Sequence, residues 1–228
     1  MKETLETSTG AVGVAWDGPA DATVVAVMAP GAGGGMDSRF MAAISSRLAS
    51  AGVRVCRFNF SYFERGRRSP DRVEVLEDTY RAVVSHVRAS HQGALALGGK
   101  SMGGRIASHL VSSKEEADGL FFLGYPLHPP GRPERLRDAH LYAIKTPMLF
   151  VEGTRDPFCP LETLETVRSR LTADNELVVI EGGNHSLEVP RSLGRATTAA
   201  WAEAADALSD WLKARLGAGP VTSRSRAK

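Results

Sequence analysis

Gly99-Lys100-Ser101-Met102-Gly103-Gly104-Arg105 is the stretch around which the rest of this sequence arranges itself. The uncharged apolar run Ala94-Leu95-Ala96-Leu97-Gly98 leads into it, and Ile106-Ala107-Ser108-His109-Leu110-Val111 leads out of it as one face of an expected helix. A strand, a sharp turn with glycine on both sides of a serine, then a helix is the setting that holds a serine out as a nucleophile. The glycines answer a steric need. Such a turn strains the serine backbone, and side chains beside it would strike the adjoining strand and helix. The expected outcome is a Ser101 hydroxyl standing clear above the C-terminal edge of a sheet.

Upstream, Ala11 to Trp16 alternates as a strand and ends at the turn Asp17-Gly18-Pro19. Val24 to Ala29 is a continuous apolar run, as in a strand covered on both faces, and it stops at Pro30-Gly31-Ala32-Gly33-Gly34-Gly35. A helix is predicted from about Asp37, as its cap, to Ala51, with Phe40, Met41, Ile44 and Leu48 on one side and Gly52 closing it. Val53 to Phe60 reads as the next strand. A polar loop with Glu64-Arg65-Gly66-Arg67-Arg68 then leads to a helix over about Arg72 to Ala89.

Downstream, strands are expected at Gly119 to Gly124, Met148 to Glu152 and Leu177 to Ile180. Between them lie a proline-rich excursion, Tyr125 to Pro147, and a helix over Leu161 to Leu171, and a long amphipathic helix from Arg195 to Leu216 ends the series. Strands alternating with helices imply an α/β fold with a mostly parallel central sheet and helices on both faces. Ligands in such sheets bind beyond the C-terminal ends of the strands, where every residue singled out below falls. The excursion is too short for a large cap domain.

With 228 residues, 43% of them hydrophobic and 24% charged, the chain suits one domain, taken as 1–216, that hides about 70–75% of its unfolded surface. Residues 217–228, ending in the basic run Arg224 to Lys228, read as a flexible tail. A net charge of +2 argues for neither a nucleic-acid nor an acidic-membrane partner. The two cysteines, Cys56 and Cys159, have no metal-ligand spacing and make no disulfide framework. Without a signal-like N-terminus or an apolar run long enough to cross a bilayer, the expected setting is the cytoplasm. Nothing in the sequence reads as a dedicated interface between copies, so oligomeric state stays open.

A serine hydroxyl needs a base, and His185 stands in the small-residue loop Glu181-Gly182-Gly183-Asn184-His185-Ser186 directly after the last strand. His86, His91 and His109 fall in or beside helices and suit packing or surface roles. The base needs a carboxylate to fix its tautomer, and Asp156 sits in Gly153-Thr154-Arg155-Asp156-Pro157-Phe158 between a strand and a helix, with Glu152 as the alternative. Charge developing on a substrate oxygen calls for N–H donors. One is expected from Met102, the residue after the serine, and one from the Pro30 to Gly35 loop, where Ala32 is chosen ahead of Gly33. That loop fits neither phosphate-binding glycine pattern. Tyr62, Phe63, His128 and Phe158 border the same sheet edge as candidate walls of a substrate pocket. Cys159 reads as buried filler, and Lys100 and Arg105, which flank the turn, as solvated or salt-bridged side chains, with substrate contact as the alternative. No metal or organic cofactor is called for.

Phe58-Asn59-Phe60, Gly66-Arg67-Arg68, the Gly99 to Arg105 turn, Gly124-Tyr125-Pro126-Leu127-His128-Pro129-Pro130-Gly131 and Gly153 to Phe158 together resemble the small bacterial α/β-hydrolases called dienelactone-hydrolase-like. They are also similar to the hydrolase-like domain of a subunit of the NSL histone-acetyltransferase complex. The resemblance runs from about Val24 to Pro190. It implies an α/β-hydrolase fold without a large cap and a Ser101-Asp156-His185 triad, and serine, acid and histidine follow in the chain order of that fold. The implied activity is hydrolysis of an ester or related acyl bond of a small molecule through an acyl-enzyme. The alternatives are a non-catalytic scaffold that binds protein, or a thioesterase or peptidase with the same triad. This chain has Pro30-Gly31 where the family commonly has His-Gly. True dienelactone hydrolases use a cysteine where Ser101 stands, so their substrate is not carried over.

Overall fold

A computed structural model describes residues 1–217. Its strands are β1 (Lys2–Leu5), β2 (Val12–Asp17), β3 (Val24–Ala29), β4 (Arg54–Phe58), β5 (Ala94–Lys100), β6 (Gly119–Leu123), β7 (Met148–Gly153) and β8 (Asn175–Ile180). They form one sheet in the order β1-β2-β4-β3-β5-β6-β7-β8. The β1/β2 and β2/β4 pairs are antiparallel, and every pair from β4 to β8 is parallel.

Strand alternation sends each central side chain to one of two cores. Val25 and Val27 of β3, Leu95 and Leu97 of β5, Leu120 and Phe122 of β6, and Met148 and Phe150 of β7 enter one core. Their neighbours Ala26, Ala96, Phe121 and Leu149 enter the other. Both faces are therefore dry, which is why these strands are unbroken apolar runs in the sequence.

The helices are α1 (Arg39–Ser50), α2 (Ser61–Glu64), α3 (Val73–Ser90), α4 (Met102–Ser112), α5 (Leu161–Arg168) and α6 (Thr197–Leu216). Phe40, Ile44 and Leu48 of α1 pack with Trp201, Leu208 and Leu212 of α6 over one face. Tyr80 and Val84 of α3, Ile106 and Leu110 of α4, and Leu164 of α5 cover the other. The fold is that of an α/β protein with a mostly parallel sheet between two helical layers, as the alternation of elements implies. Between β6 and β7 the chain carries one 3-10 turn, Ala139–Ala143, and no cap domain.

Three details depart from the sequence reading. The cap of α1 is Ser38, whose Oγ accepts from the Met41 N–H at 3.4 Å. Asp37 is drawn away instead, to Lys2 at 2.7 Å and Arg57 at 3.4 Å. β1 and the single turn of α2 have no counterpart in the expected elements. β1 is an edge strand whose residues are at most half-buried, so it has no apolar period to read. Its ladder to β2 and the Met1 amino group on the Trp16 carbonyl at 2.9 Å hold it. Beyond residue 217, the expected basic tail lies outside the described residues.

Candidate active site

The turn at the end of β5 is as tight as its glycines require. Ser101 takes φ 50° and ψ −116°, a conformation that a non-glycine residue holds only under strain. Gly99 has φ 149°, and a Cβ there would lie 2.1 Å from the Ala29 carbonyl oxygen. A Cβ on Gly103 would lie 2.3 Å from the same atom. The helix thus starts against the backbone of β3, and only glycine permits the approach. Tyr80 braces the strand just before the turn: the Gly98 N–H donates to its phenol oxygen at 2.9 Å, and its O–H faces the Gly98 and Val27 carbonyls at 2.8 and 2.9 Å. Gly103→Ala would press backbone against backbone. It is expected to lower stability by roughly 2–3 kcal/mol, read as a lower urea midpoint at unchanged slope.

His185 and Asp156 arrive from the ends of β8 and β7. Ser101 Oγ lies 2.8 Å from His185 Nε2, and His185 Nδ1 lies 2.7 Å from Asp156 Oδ2. With Nδ1–H donating to the carboxylate, Nε2 is left to accept the serine proton. The Asp156 side chain is fully buried, and its second oxygen accepts the Phe158 N–H at 2.8 Å. His185 keeps 19% of its side chain exposed. The two loops are tied together by Arg155 N–H on the Gly183 carbonyl at 2.8 Å and Gly182 N–H on Thr154 Oγ1 at 2.8 Å. Asn184 Oδ1 accepts the Ser186 and Glu188 N–H groups at 2.8 and 3.0 Å, which turns the chain at the histidine. Phe158 meets the imidazole edge-on at 4.7 Å, and Lys100 Nζ donates to the His185 carbonyl at 3.2 Å.

The Pro30 to Gly35 loop lies beside Ser101. Among the described residues, the N–H groups of Ala32 and Met102 donate to no acceptor, and both residues line the cavity over the serine. Both are therefore available as donors to an atom bound in the cavity. Tyr62 is not a wall of that cavity, contrary to the sequence expectation. It is buried, and its phenol oxygen accepts the Gly33 N–H at 3.0 Å. An aromatic ring followed by a hydroxyl is satisfied by a core with one donor at its far end, and the loop supplies the donor. Phe63 does not line the cavity either; it packs on Gly35, where a Cβ would come within 2.5 Å of its ring. Asn59 Oδ1 accepts the Met36 N–H at 2.7 Å and completes the support. These residues hold the loop from behind.

The family described as alpha/beta hydrolase domain matches residues 22–213. The chain belongs to that family. Among solved structures it is similar to an α/β serine hydrolase without a lid from Xanthomonas campestris, at 22% identity and TM-score 0.76, over 96% of each chain. It is similar to an α-β serine hydrolase homologue from Coxiella burnetii at 19% identity and TM-score 0.74, over 93% of this chain and 97% of that one. It is also similar to a dienelactone hydrolase from Anabaena variabilis at 19% identity and TM-score 0.72, over 95% and 97%.

Above Ser101 this α/β-hydrolase has a cavity of about 850 Å³, lined by residues that include Phe40, His128, Phe158, His185 and Trp201. His128 and Phe158 are therefore where the sequence expects them. Arg105 and Arg137 line it too. The sequence reading left Arg105 between a solvated or salt-bridged role and substrate contact, and did not single out Arg137. His109 and His140 lie 4.3 Å apart in the layer beneath, where His140 Nε2 meets Ser108 Oγ at 2.8 Å. Among the described residues no group of three His, Cys, Asp or Glu side chains converges to hold a metal ion, and no helix is long and apolar enough to cross a membrane.

Glu152, the alternative carboxylate, makes no bond to His185. Its Oε1 accepts the Tyr125 N–H at 2.5 Å, while Oε2 has no partner among the described residues. Burial first, then the nearby Asp156 charge, holds this carboxyl well above the usual carboxylate range, against the Tyr125 hydrogen bond. Because the folded value is the higher one, its contribution to stability is full below the ordinary value of 4.5 and is lost as pH rises toward the folded value. Glu152→Gln removes that loss. Its melting temperature is expected to exceed wild type by a few degrees at pH 7 and to converge with it at pH 4, with turnover kept.

Proposed function

We propose that this α/β-hydrolase is a serine hydrolase that cleaves an ester or related acyl bond of a small molecule through a covalent acyl-enzyme. The observation that carries the reading is the continuous hydrogen-bond chain Asp156–His185–Ser101, opening on a cavity beside two N–H donors that are free among the described residues. Ser101 Oγ attacks the carbonyl carbon while its proton passes to His185 Nε2. The carbonyl oxygen, now negative, is met by the Ala32 and Met102 N–H groups. Asp156 stabilises the imidazolium without taking its proton. As the intermediate collapses, His185 gives that proton to the departing alcohol. Water then repeats the sequence on the acyl-enzyme, with His185 as base, and the carboxylic acid leaves.

A cavity of about 850 Å³ falls in the range of small-molecule pockets, which supports a small acyl substrate. The two cysteines are free thiols in the core, which suits a reducing, cytoplasmic setting. The test is a panel of 4-nitrophenyl esters and aliphatic thioesters. The reading expects turnover, and a burst of up to one nitrophenol per chain where deacylation is slow. A panel with neither turnover nor burst would favour a protein-binding scaffold, in line with the sequence likeness to the NSL hydrolase-like domain.

A further inference from the structure

Two arginines stand in the wall of the Ser101 cavity with no carboxylate bonded to either. Arg105 lies in the first turn of α4, its N–H donating to the Ser101 carbonyl at 3.1 Å, and both residues line the cavity. Its guanidinium bonds only to a histidine, Nη1 to His109 Nε2 at 3.3 Å, and its Nε is buried without a partner among the described residues. His109 offers no compensating negative charge. Its other nitrogen turns to Glu77 at 3.2 Å, and burial together with the charge of Arg105 favours the neutral ring. Arg137 comes from the excursion between β6 and β7 and lines the same cavity. Among the described residues its guanidinium has no hydrogen bond and no ion pair. Burial, then repulsion from Arg105, pushes it below its ordinary value.

Arg105 and Arg137 are both half-buried, and a cation drawn partly out of water without an acidic partner is costly unless something else supplies the anion. The other charged residues of the cavity do not supply it. Asp71 is held by Arg65 and Arg67, and Glu188 faces Asn184 at 3.2 Å. Lys100 and Arg39 add further positive charge to the lining. A guanidinium presents a planar fork of donors that matches a carboxylate, and two on one wall can hold both of its oxygens.

We propose that Arg105 and Arg137 form an anion subsite that selects esters carrying a free carboxylate away from the scissile bond, on either the acyl or the alcohol part. This rests on the hydrolase reading above. The substrate class is then the monoester of a dicarboxylic acid, or the acyl ester of a hydroxy acid.

The test uses two matched pairs: mono-4-nitrophenyl adipate against its methyl ester, and 4-acetoxybenzoate against methyl 4-acetoxybenzoate. In at least one pair the wild-type protein is expected to favour the carboxylate in kcat/KM by roughly ten- to a hundredfold. Arg105→Gln and Arg137→Gln should each erase most of that preference while leaving the methyl ester within about threefold. The preference should also shrink as sodium chloride is raised to about 1 M. That salt series in wild type, with Arg137→Gln, carries the test if Arg105→Gln fails to fold. Methyl esters turned over with no preference for the carboxylate in either pair would overturn the subsite and leave the hydrolase reading standing. If no ester is turned over, adipate itself decides: it should raise the melting temperature of wild type and not of Arg137→Gln, and no shift overturns the subsite.

Discussion

Ser101→Ala is expected to lower kcat on an activated ester by about a million-fold, to a residual rate set by binding and the oxyanion donors alone. The loss is this large because the serine oxygen forms the covalent bond, so nothing downstream of attack can occur. His185→Ala should cost nearly as much, and the double variant hardly more than either single one. Nucleophile and base act as one unit joined at 2.8 Å, so removing either disables both. Stability should hold or rise, since alanine makes no polar demand at a position already strained at φ 50°. Rates measured beside urea titrations separate the two effects.

Asp156→Asn is expected to lower kcat about ten-thousand-fold with the fold intact. One carboxylate oxygen accepts the Phe158 N–H at 2.8 Å, and an asparagine would keep its carbonyl there. Its NH2 would then face His185 Nδ1, where the other carboxylate oxygen now accepts a proton at 2.7 Å. Nδ1 would have to become an acceptor, which moves the imidazole proton to Nε2. That nitrogen would point a proton at Ser101 Oγ and could no longer take one. The expected signature is a fall in kcat with little change in KM, and an unchanged melting temperature. A rate near wild type would remove Asp156 from the mechanism and leave the acid role unfilled, since Glu152 is bonded to Tyr125 instead.

Much of this architecture is legible in the sequence because burial on both faces leaves a plain mark. Val24 to Ala29 and Gly119 to Leu123 contain no charge and few residues that tolerate water, and each is a central strand. The Ser101 turn is legible for a different reason. Gly99 and Gly103 are needed against one specific atom, the Ala29 carbonyl oxygen, and that need is written into the residue types. Ser101, Asp156 and His185 each stand just past a strand end, so a parallel sheet brings them to one rim.

What the sequence hides is direction. Tyr62 and Phe158 are both aromatic residues a few positions past a strand end at that rim, yet one ring turns into the core to support Gly33 and the other faces the cavity. Residue type does not distinguish them, because either position buries the ring. Asp37 and Ser38 are adjacent, and either suits a helix cap. The choice falls to Ser38 because two distant cations, Lys2 and Arg57, claim the aspartate. Arg137 reaches the cavity through a proline-rich segment with no periodicity, so its place beside Arg105 exists only in three dimensions.

The most direct measurement of the central claim is covalent labelling with a fluorophosphonate, read by peptide mass spectrometry on wild type, Ser101→Ala and Asp156→Asn. A nucleophile activated as described should carry the label on the Ser101 peptide in wild type, lose it entirely in Ser101→Ala, and label far more slowly in Asp156→Asn. Label found on another residue, or unchanged in Ser101→Ala, would contradict the account.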